Sequence, residues 1–102
     1  MSELAFNSAT ELAAKIQNKE LSAVELLNYY LSRVDQYDGD LNAVVVDTRE
    51  QALKDAQQAD DDLAKGVVQG PLHGVPMTVK ESFHIAGTAS TWGNPALKDN
   101  VF

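Results

Sequence analysis

Apolar residues recur every three or four positions in three segments of the chain, which is the spacing of one helix face. The first segment begins near Ser8 and the second at Ser22, and each has a glutamate three residues later, as in a capping box. Gly39 is expected to close the second segment. The two segments predict an amphipathic helical hairpin over residues 1–40.

The third helical segment lies between two short apolar runs. Residues 41–47 contain three consecutive valines, a β-branched run short enough for a buried strand. Residues 48–65 predict a helix that starts with a capping box of Thr48 and Gln51 and is followed by Gly66 at the C′ position. Its aspartates at 55, 60, 61 and 62 are expected to form a solvated face. In residues 75–80 apolar side chains alternate, which predicts a second strand.

Strand, helix and strand together form one βαβ unit, which predicts a parallel pair with a right-handed crossover. The fold class is therefore α/β: a helical hairpin, then residues 41–102 as the start of a core sheet. Because two strands rarely form an independent sheet, we expect residues 1–102 to be the N-terminal portion of one larger mixed-sheet domain. By itself the chain would expose sheet edges, so we also expect it to self-associate.

Charge and composition exclude several classes of partner. Eight basic and fifteen acidic residues give a formal charge of −7, which disfavours binding to nucleic acid or to anionic membranes. The absence of cysteine excludes disulfides and thiolate metal sites and fits a cytoplasmic protein. The first residues have no secretory pattern, and no apolar run approaches the roughly 20 residues of a membrane span.

Lys80 is the clearest candidate for a catalytic residue. It ends the second predicted strand, on the face opposite Val75 and Val79. Burial disfavours the charged form of a lysine, and a neutral amine can act as a general base. The alternative is a structural lysine that reaches water or pairs with Glu81.

Residues 70–81 read Gly-Pro-Leu-His-Gly-Val-Pro-Met-Thr-Val-Lys-Glu. This segment resembles the start of the amidase signature family, whose members carry Gly-Pro-Leu-His-Gly-(Ile/Val)-Pro running into Val-Lys-(Asp/Glu). Residues 20–26, 41–43 and 56–66 are also similar to family segments, so the resemblance covers nearly the whole chain. Lys-Glu-Ser-Phe at 80–83 is closer to the fatty-acid-amide-hydrolase side, whereas tRNA-dependent amidotransferases more often read Lys-Asp-Asn.

The resemblance implies hydrolysis of a small-molecule amide by a serine nucleophile, a second serine held by a cis peptide bond, and a lysine. It implies that Lys80 is the catalytic lysine, with no cofactor and no metal. It also implies that the substrate contacts the segment Ser90, Thr91, Trp92 and Gly93. The Gly-Gly-Ser-Ser-Gly-Gly-like stretch that supplies the serines is absent from these 102 residues, so the chain alone is predicted to be inactive.

Several other interpretations remain open. Ser82 could share a strand face with Lys80 as a dyad, although adjacent side chains leave little room for an acyl group. His73, His84 and Glu81 could be metal ligands, but their spacing suits a helix, and His73 is expected instead to bond backbone groups. The whole chain could also be a truncated, non-catalytic interaction module or a fragment of an amidotransferase A-type subunit.

Overall fold

The computed structural model describes residues 2–101, with side chains from Leu4 onward. The three α-helices are α1 (Ala9–Gln17), α2 (Ala23–Leu41) and α3 (Arg49–Ala64), and 3-10 helices occupy Ser2–Phe6 and Pro95–Leu97. The chain divides into two compact units. The first comprises the residues up to Ala43 and Thr48–Pro76, and the second comprises Val44–Asp47 and the residues from Met77 onward. All three α-helices belong to the first unit.

The first two helices begin at the caps that the sequence predicts. The Ser8 hydroxyl accepts a hydrogen bond from the backbone N–H of Glu11 at 3.1 Å. The reciprocal bond from the Ser8 N–H to the Glu11 side chain does not form within residues 2–101, so only half of the capping box predicted there is present. Ser22 and Glu25 form a full capping box, because each side chain accepts a bond from the other residue's backbone N–H. The third capping box, predicted for Thr48 and Gln51, is wrong. Thr48 makes no side-chain cap bond at the start of α3.

The start of α2 has a second cap, which comes from another helix. The Asp60 carboxylate in α3 accepts hydrogen bonds from the backbone N–H groups of Ala23 at 2.7 Å and Val24 at 3.1 Å. It therefore satisfies two donors that a helix start leaves unpaired, at the positive end of the helix dipole. The expectation that every aspartate of α3 is solvated is wrong for Asp60, which is half-buried.

The end of α3 confirms the predicted role of Gly66. This glycine has a positive φ of 79°, and its N–H donates to the Leu63 carbonyl at 3.0 Å. The next N–H, of Val67, donates to the Asp62 carbonyl at 2.8 Å. These two bonds form a Schellman motif, which pairs carbonyls that a helix end otherwise leaves free.

Buried side chains of the first unit form two hydrophobic clusters. The first consists of Leu4, Leu12, Ile16, Leu21 and Leu26. The second consists of Ala23, Leu27 and Ala56, where α2 and α3 pack on one another. None of the helices in the part of the chain that is described has the length and apolar composition of a bilayer span.

The predicted βαβ unit is not present, since no β-strand forms between residues 2 and 101. Gly39 does not end α2, which continues to Leu41 and stops at Asn42 in the left-handed conformation with φ of 52°. The following Val45 lies in a bend and is 65% exposed. Residues 75–80 have no regular secondary structure and no ladder. The α/β fold class with a hairpin and a βαβ unit is therefore wrong for these residues.

The physical reason is the lack of pairing partners. Two short strands seldom form a stable sheet, because each leaves a full row of N–H and C=O groups unpaired. A short valine run also fits a strand by propensity alone, without specifying what it pairs with. Among the residues described, β pairing is limited to one isolated antiparallel bridge between Ala89 and Val101.

Candidate active site

Lys80 lies in the second unit, at the end of residues 75–80. Its side chain is exposed, and its carbonyl accepts a hydrogen bond from the N–H of Phe83 at 3.0 Å, which closes a turn directly after the lysine. No ion pair joins Lys80 to Glu81 in the part of the chain that the structure covers. Ser82 likewise makes no hydrogen bond to the Lys80 amine within residues 2–101, so the two side chains do not form a dyad there.

Glu81 is bound instead to Thr91, ten residues further on. One carboxylate oxygen of Glu81 accepts the backbone N–H of Thr91 at 2.9 Å and also the Thr91 hydroxyl. The hydroxyl bond and the backbone bond both favour the ionised carboxylate and hold the pKa of Glu81 below its ordinary value. A carboxylate in this state is a weak base near neutral pH, which argues against a general-base role for Glu81.

Thr91 starts a tight turn that contains the chain's single tryptophan. The N–H of Asn94 donates to the Thr91 carbonyl at 2.8 Å. Both central residues have positive φ, 53° for Trp92 and 73° for Gly93, which is the mark of a type I′ turn. This conformation is an outlier for a bulky residue such as Trp92, whose side chain is 65% exposed.

Ser90 is the best-buried residue of the second unit, with no exposed surface. Its N–H donates to the Asn100 carbonyl at 2.8 Å, and the Asn100 side-chain amide donates to the Ser90 carbonyl at 3.1 Å. The Ser90 hydroxyl lies 3.1 Å from Nδ1 of His84. In this conformation Ser90 supports the turn from inside, whereas Trp92 faces solvent.

His73 lies in the first unit and is 5% exposed. Its Nδ1 accepts the backbone N–H of Gln69 at 3.0 Å, and its Nε2 lies 2.8 Å from the Ala59 carbonyl. These partners assign a neutral ring with the proton on Nε2. The expectation that His73 satisfies backbone groups is confirmed, and any metal ligation by this ring would require one of the two bonds to break.

Two open clefts of about 280 Å³ each occur in the first unit. One lies beside His73 and the other beside the start of α2. Neither is lined by Lys80 or by residues 90–93, the segment expected to contact substrate. Lys80 and Trp92 are both exposed.

The sequence reasoning missed the bonds that hold this surface together. Glu81, His84 and Asn100 each reach a partner six to ten residues away in irregular chain. Neither the helix period nor the strand period applies in such chain, so neither relates these positions. The only signal available was the presence of several hydrogen-bonding side chains around Ser90 and Thr91.

Comparison with known families agrees with the family resemblance of the segment around Lys80. The model of the Amidase family matches residues 25–101, which is most of the chain. This chain belongs to the amidase family, as its resemblance to the amidase signature segments predicts.

Its relatives include hydrolases and components of amidotransferases. The chain is 45% identical to an indoleacetamide hydrolase of Bradyrhizobium diazoefficiens over 94 residues, which are 92% of this chain and 18% of the relative. It is 37% identical to an acylamidase of Rhodococcus erythropolis, covering 92% of this chain and 20% of the relative. The A-type subunit of a glutamyl-tRNA(Gln) amidotransferase from Thioalkalivibrio sulfidiphilus is 45% identical over 91 residues, 89% of this chain and 19% of that relative. The chain thus spans about a fifth of the length of these relatives.

Proposed function

We propose that this chain carries the catalytic lysine, Lys80, of an amidase that hydrolyses carbon–nitrogen amide bonds with two serines and that lysine. The observation that supports the proposal is the family match over residues 25–101, which includes the motif running from Gly70 into Lys80 and Glu81. The carboxylate of the neighbouring Glu81 hydrogen-bonds to Thr91 and forms no ion pair with Lys80 within residues 2–101.

In this mechanism the nucleophilic serine attacks the amide carbonyl and passes its proton to a bridging serine. The bridging serine passes a proton to Lys80, which accepts it only while neutral. Backbone amides stabilise the oxyanion that forms on the carbonyl oxygen. Burial disfavours an ammonium, so the exposed Lys80 of this chain requires further protein groups around it before it can serve as a base.

Neither serine of the mechanism is assigned to these residues. The six serines of the chain include two helix caps and the buried Ser90, and none lies in a glycine-serine-rich stretch. We therefore expect the 102-residue chain alone to release no ammonia from indoleacetamide or other linear amides. We also expect a small-molecule amide as substrate, with Trp92 the most accessible side chain among residues 90–93.

The test is a graft into a relative. Residues of this chain replace the matching 94 residues of the Bradyrhizobium indoleacetamide hydrolase, and ammonia release from indoleacetamide is measured. In the graft, Lys80→Arg keeps charge and length but removes a group that can be deprotonated. We expect kcat to fall by about 10²–10⁴-fold, the usual contribution of a general base.

Lys98→Arg is the matched control, because Lys98 is another exposed lysine of the second unit. We expect it to leave kcat unchanged. An active graft that keeps its rate after Lys80→Arg would overturn the assignment of Lys80.

The Thioalkalivibrio amidotransferase subunit is 45% identical to this chain, as is the Bradyrhizobium hydrolase, and this equal similarity favours a second function. In that case the chain would work within an amidotransferase on tRNA-bound glutamate. Lys-Glu-Ser-Phe at 80–83 and the excess of acidic residues favour the hydrolase instead. The same graft placed in the Thioalkalivibrio A-type subunit separates the two functions. We expect amide transfer to glutamyl-tRNA(Gln) to be lost in it, while the hydrolase graft is active.

A further inference from the structure

We propose that Glu81 is a positioning residue: it holds the 91–94 turn and so presents the Trp92 indole to the acyl group of the amide substrate. The inference rests on the proposed function, because it assigns a substrate contact to the residues that follow the catalytic lysine. It names the acyl side of the substrate as an apolar, preferably aromatic group.

The first argument is the geometry of Glu81. A single carboxylate oxygen receives both the N–H and the hydroxyl of Thr91. Charge-assisted bonds of this kind are stronger than neutral ones, and two on one oxygen fix both the position and the rotation of Thr91. Since Glu81 directly follows Lys80, the turn is tied to the backbone that carries the lysine.

The second argument is the conformation of Trp92. A tryptophan in the left-handed region persists only where the surrounding structure imposes it, and such outliers gather at functional sites. The closing bond from Asn94 to the Thr91 carbonyl and a weak bond of 3.4 Å from the Gly93 N–H to the Thr91 hydroxyl act on this turn. Both depend on where Thr91 is held.

The third argument is a separate anchor on the other side of Thr91. Ser90 is fixed by two bonds to Asn100 and one to His84, and it is fully buried. The turn thus has hydrogen-bonded support at its base, while Trp92 at its tip is 65% exposed. A large apolar ring held out on a fixed turn is suited to stacking on a flat apolar group.

The clamp formed by Glu81 and Thr91 is tested first in the 102-residue chain itself. Trp92 is its only tryptophan, so the time-resolved fluorescence anisotropy of the indole reports on this turn alone. We expect Glu81→Ala to add a fast, large-amplitude depolarising motion. Glu81→Gln keeps an acceptor oxygen at the same distance and should restore most of the slow decay. Thr91→Val removes the hydroxyl bond but keeps the backbone N–H bond, so it should change the decay in the same direction by a smaller amount. Thr91→Ser, which keeps the hydroxyl, should resemble the parent chain.

Glu50→Ala is the control, because Glu50 is an exposed glutamate of α3 in the first unit. Helical circular dichroism should be the same in all variants, which separates loss of the clamp from loss of folding. Unchanged anisotropy in both Glu81→Ala and Thr91→Val overturns the clamp.

The substrate contact is tested in the active hydrolase graft. Trp92→Ala and Glu81→Ala should each raise KM for indoleacetamide about tenfold, the usual scale of one aromatic contact, with little change in kcat. KM for acetamide, which has no aromatic group, should stay constant. Equal effects on both amides overturn the contact even if the clamp exists. A graft that is inactive with Lys80 intact counts against the proposed function and leaves the anisotropy result standing.

Discussion

The two units of this chain are stabilised by different interactions. In the first unit Ile16, Ala23 and Leu26 have no exposed surface, and helices cover them. In the second unit Ser90 is the one buried residue among those described, while Phe83 and Trp92 are each 65% exposed. Apolar burial thus holds the first unit, and hydrogen bonds between polar side chains and turns hold the second.

The residues that stabilise the helical unit and the residues proposed for catalysis therefore lie in different units. A unit with little buried apolar surface has a low free energy of local opening, because few contacts are lost when it opens. The proposed catalytic Lys80 and the turn with Trp92 both lie in that unit. The capped helices, by contrast, carry no residue of the proposed reaction.

The largest effect is expected from a cavity in the first unit. Leu26→Ala should lower the free energy of unfolding by about 3–5 kcal/mol, because Leu26 is fully buried in the first hydrophobic cluster. Val79→Ala in the second unit, at 50% exposure, should change it by less than about 0.5 kcal/mol. Urea unfolding followed by circular dichroism measures both. Similar losses for the two variants would show that the units do not differ as described.

Two glycines with nearly the same positive φ provide a second test of the difference between the units. Gly74 has φ of 80° and Gly87 has φ of 81°. A Cβ on Gly74 would lie 3.1 Å from the Ala23 side chain and 3.3 Å from Ile16, whereas Gly87 has nothing within 4 Å. Gly74→Ala should therefore cost about 2–3 kcal/mol from backbone strain and crowding together, and Gly87→Ala about 1 kcal/mol from strain alone.

The measurement is again urea unfolding of the two variants side by side. A loss for Gly74→Ala no greater than that for Gly87→Ala would contradict the close packing of residue 74 against α1 and α2.

The Asp60 cap should have a smaller effect. Asp60→Ala removes the acceptor for two N–H groups at the start of α2 and should lower the unfolding free energy by about 1–2 kcal/mol. Asp61→Ala is the matched control, since this exposed aspartate accepts only a surface bond from Gln57 one turn away. The control should change stability by less than about 0.5 kcal/mol. Equal losses would mean that removal of acidic charge, not capping, sets the effect.

Local signals made much of the first unit predictable from sequence. The caps at Ser8 and Ser22 and the helix end at Gly66 depend on residues a few positions apart, and all three are confirmed. The expected end of α2 at Gly39 is wrong, because Asn42 supplies the left-handed residue that ends the helix. Glycine is the usual left-handed residue at a helix end, so local preference alone favoured Gly39.

Distant partners explain what could not be predicted. A strand needs a neighbour that local propensity does not reveal, so the strands predicted for the valine run and for residues 75–80 are wrong. The same holds for Asp60, which binds a helix start 36 residues earlier, and for the Glu81–Thr91 pair. Its position at the end of a predicted strand made Lys80 a candidate, but the structure has no strand there, and the assignment depends on the resemblance of its motif to a known family.

The smallest expected effect is the response of the second unit to acid. The pKa of Glu81 is held below the ordinary glutamate value of 4.5 by its two bonds from Thr91. The clamp is therefore fully present above pH 4.5 and is lost as the pH falls through the lowered pKa. Trp92 anisotropy should report a midpoint below 4.5, and Thr91→Val should move the titration of Glu81 back toward that value. A midpoint at or above 4.5 in the parent chain would contradict the bonded carboxylate.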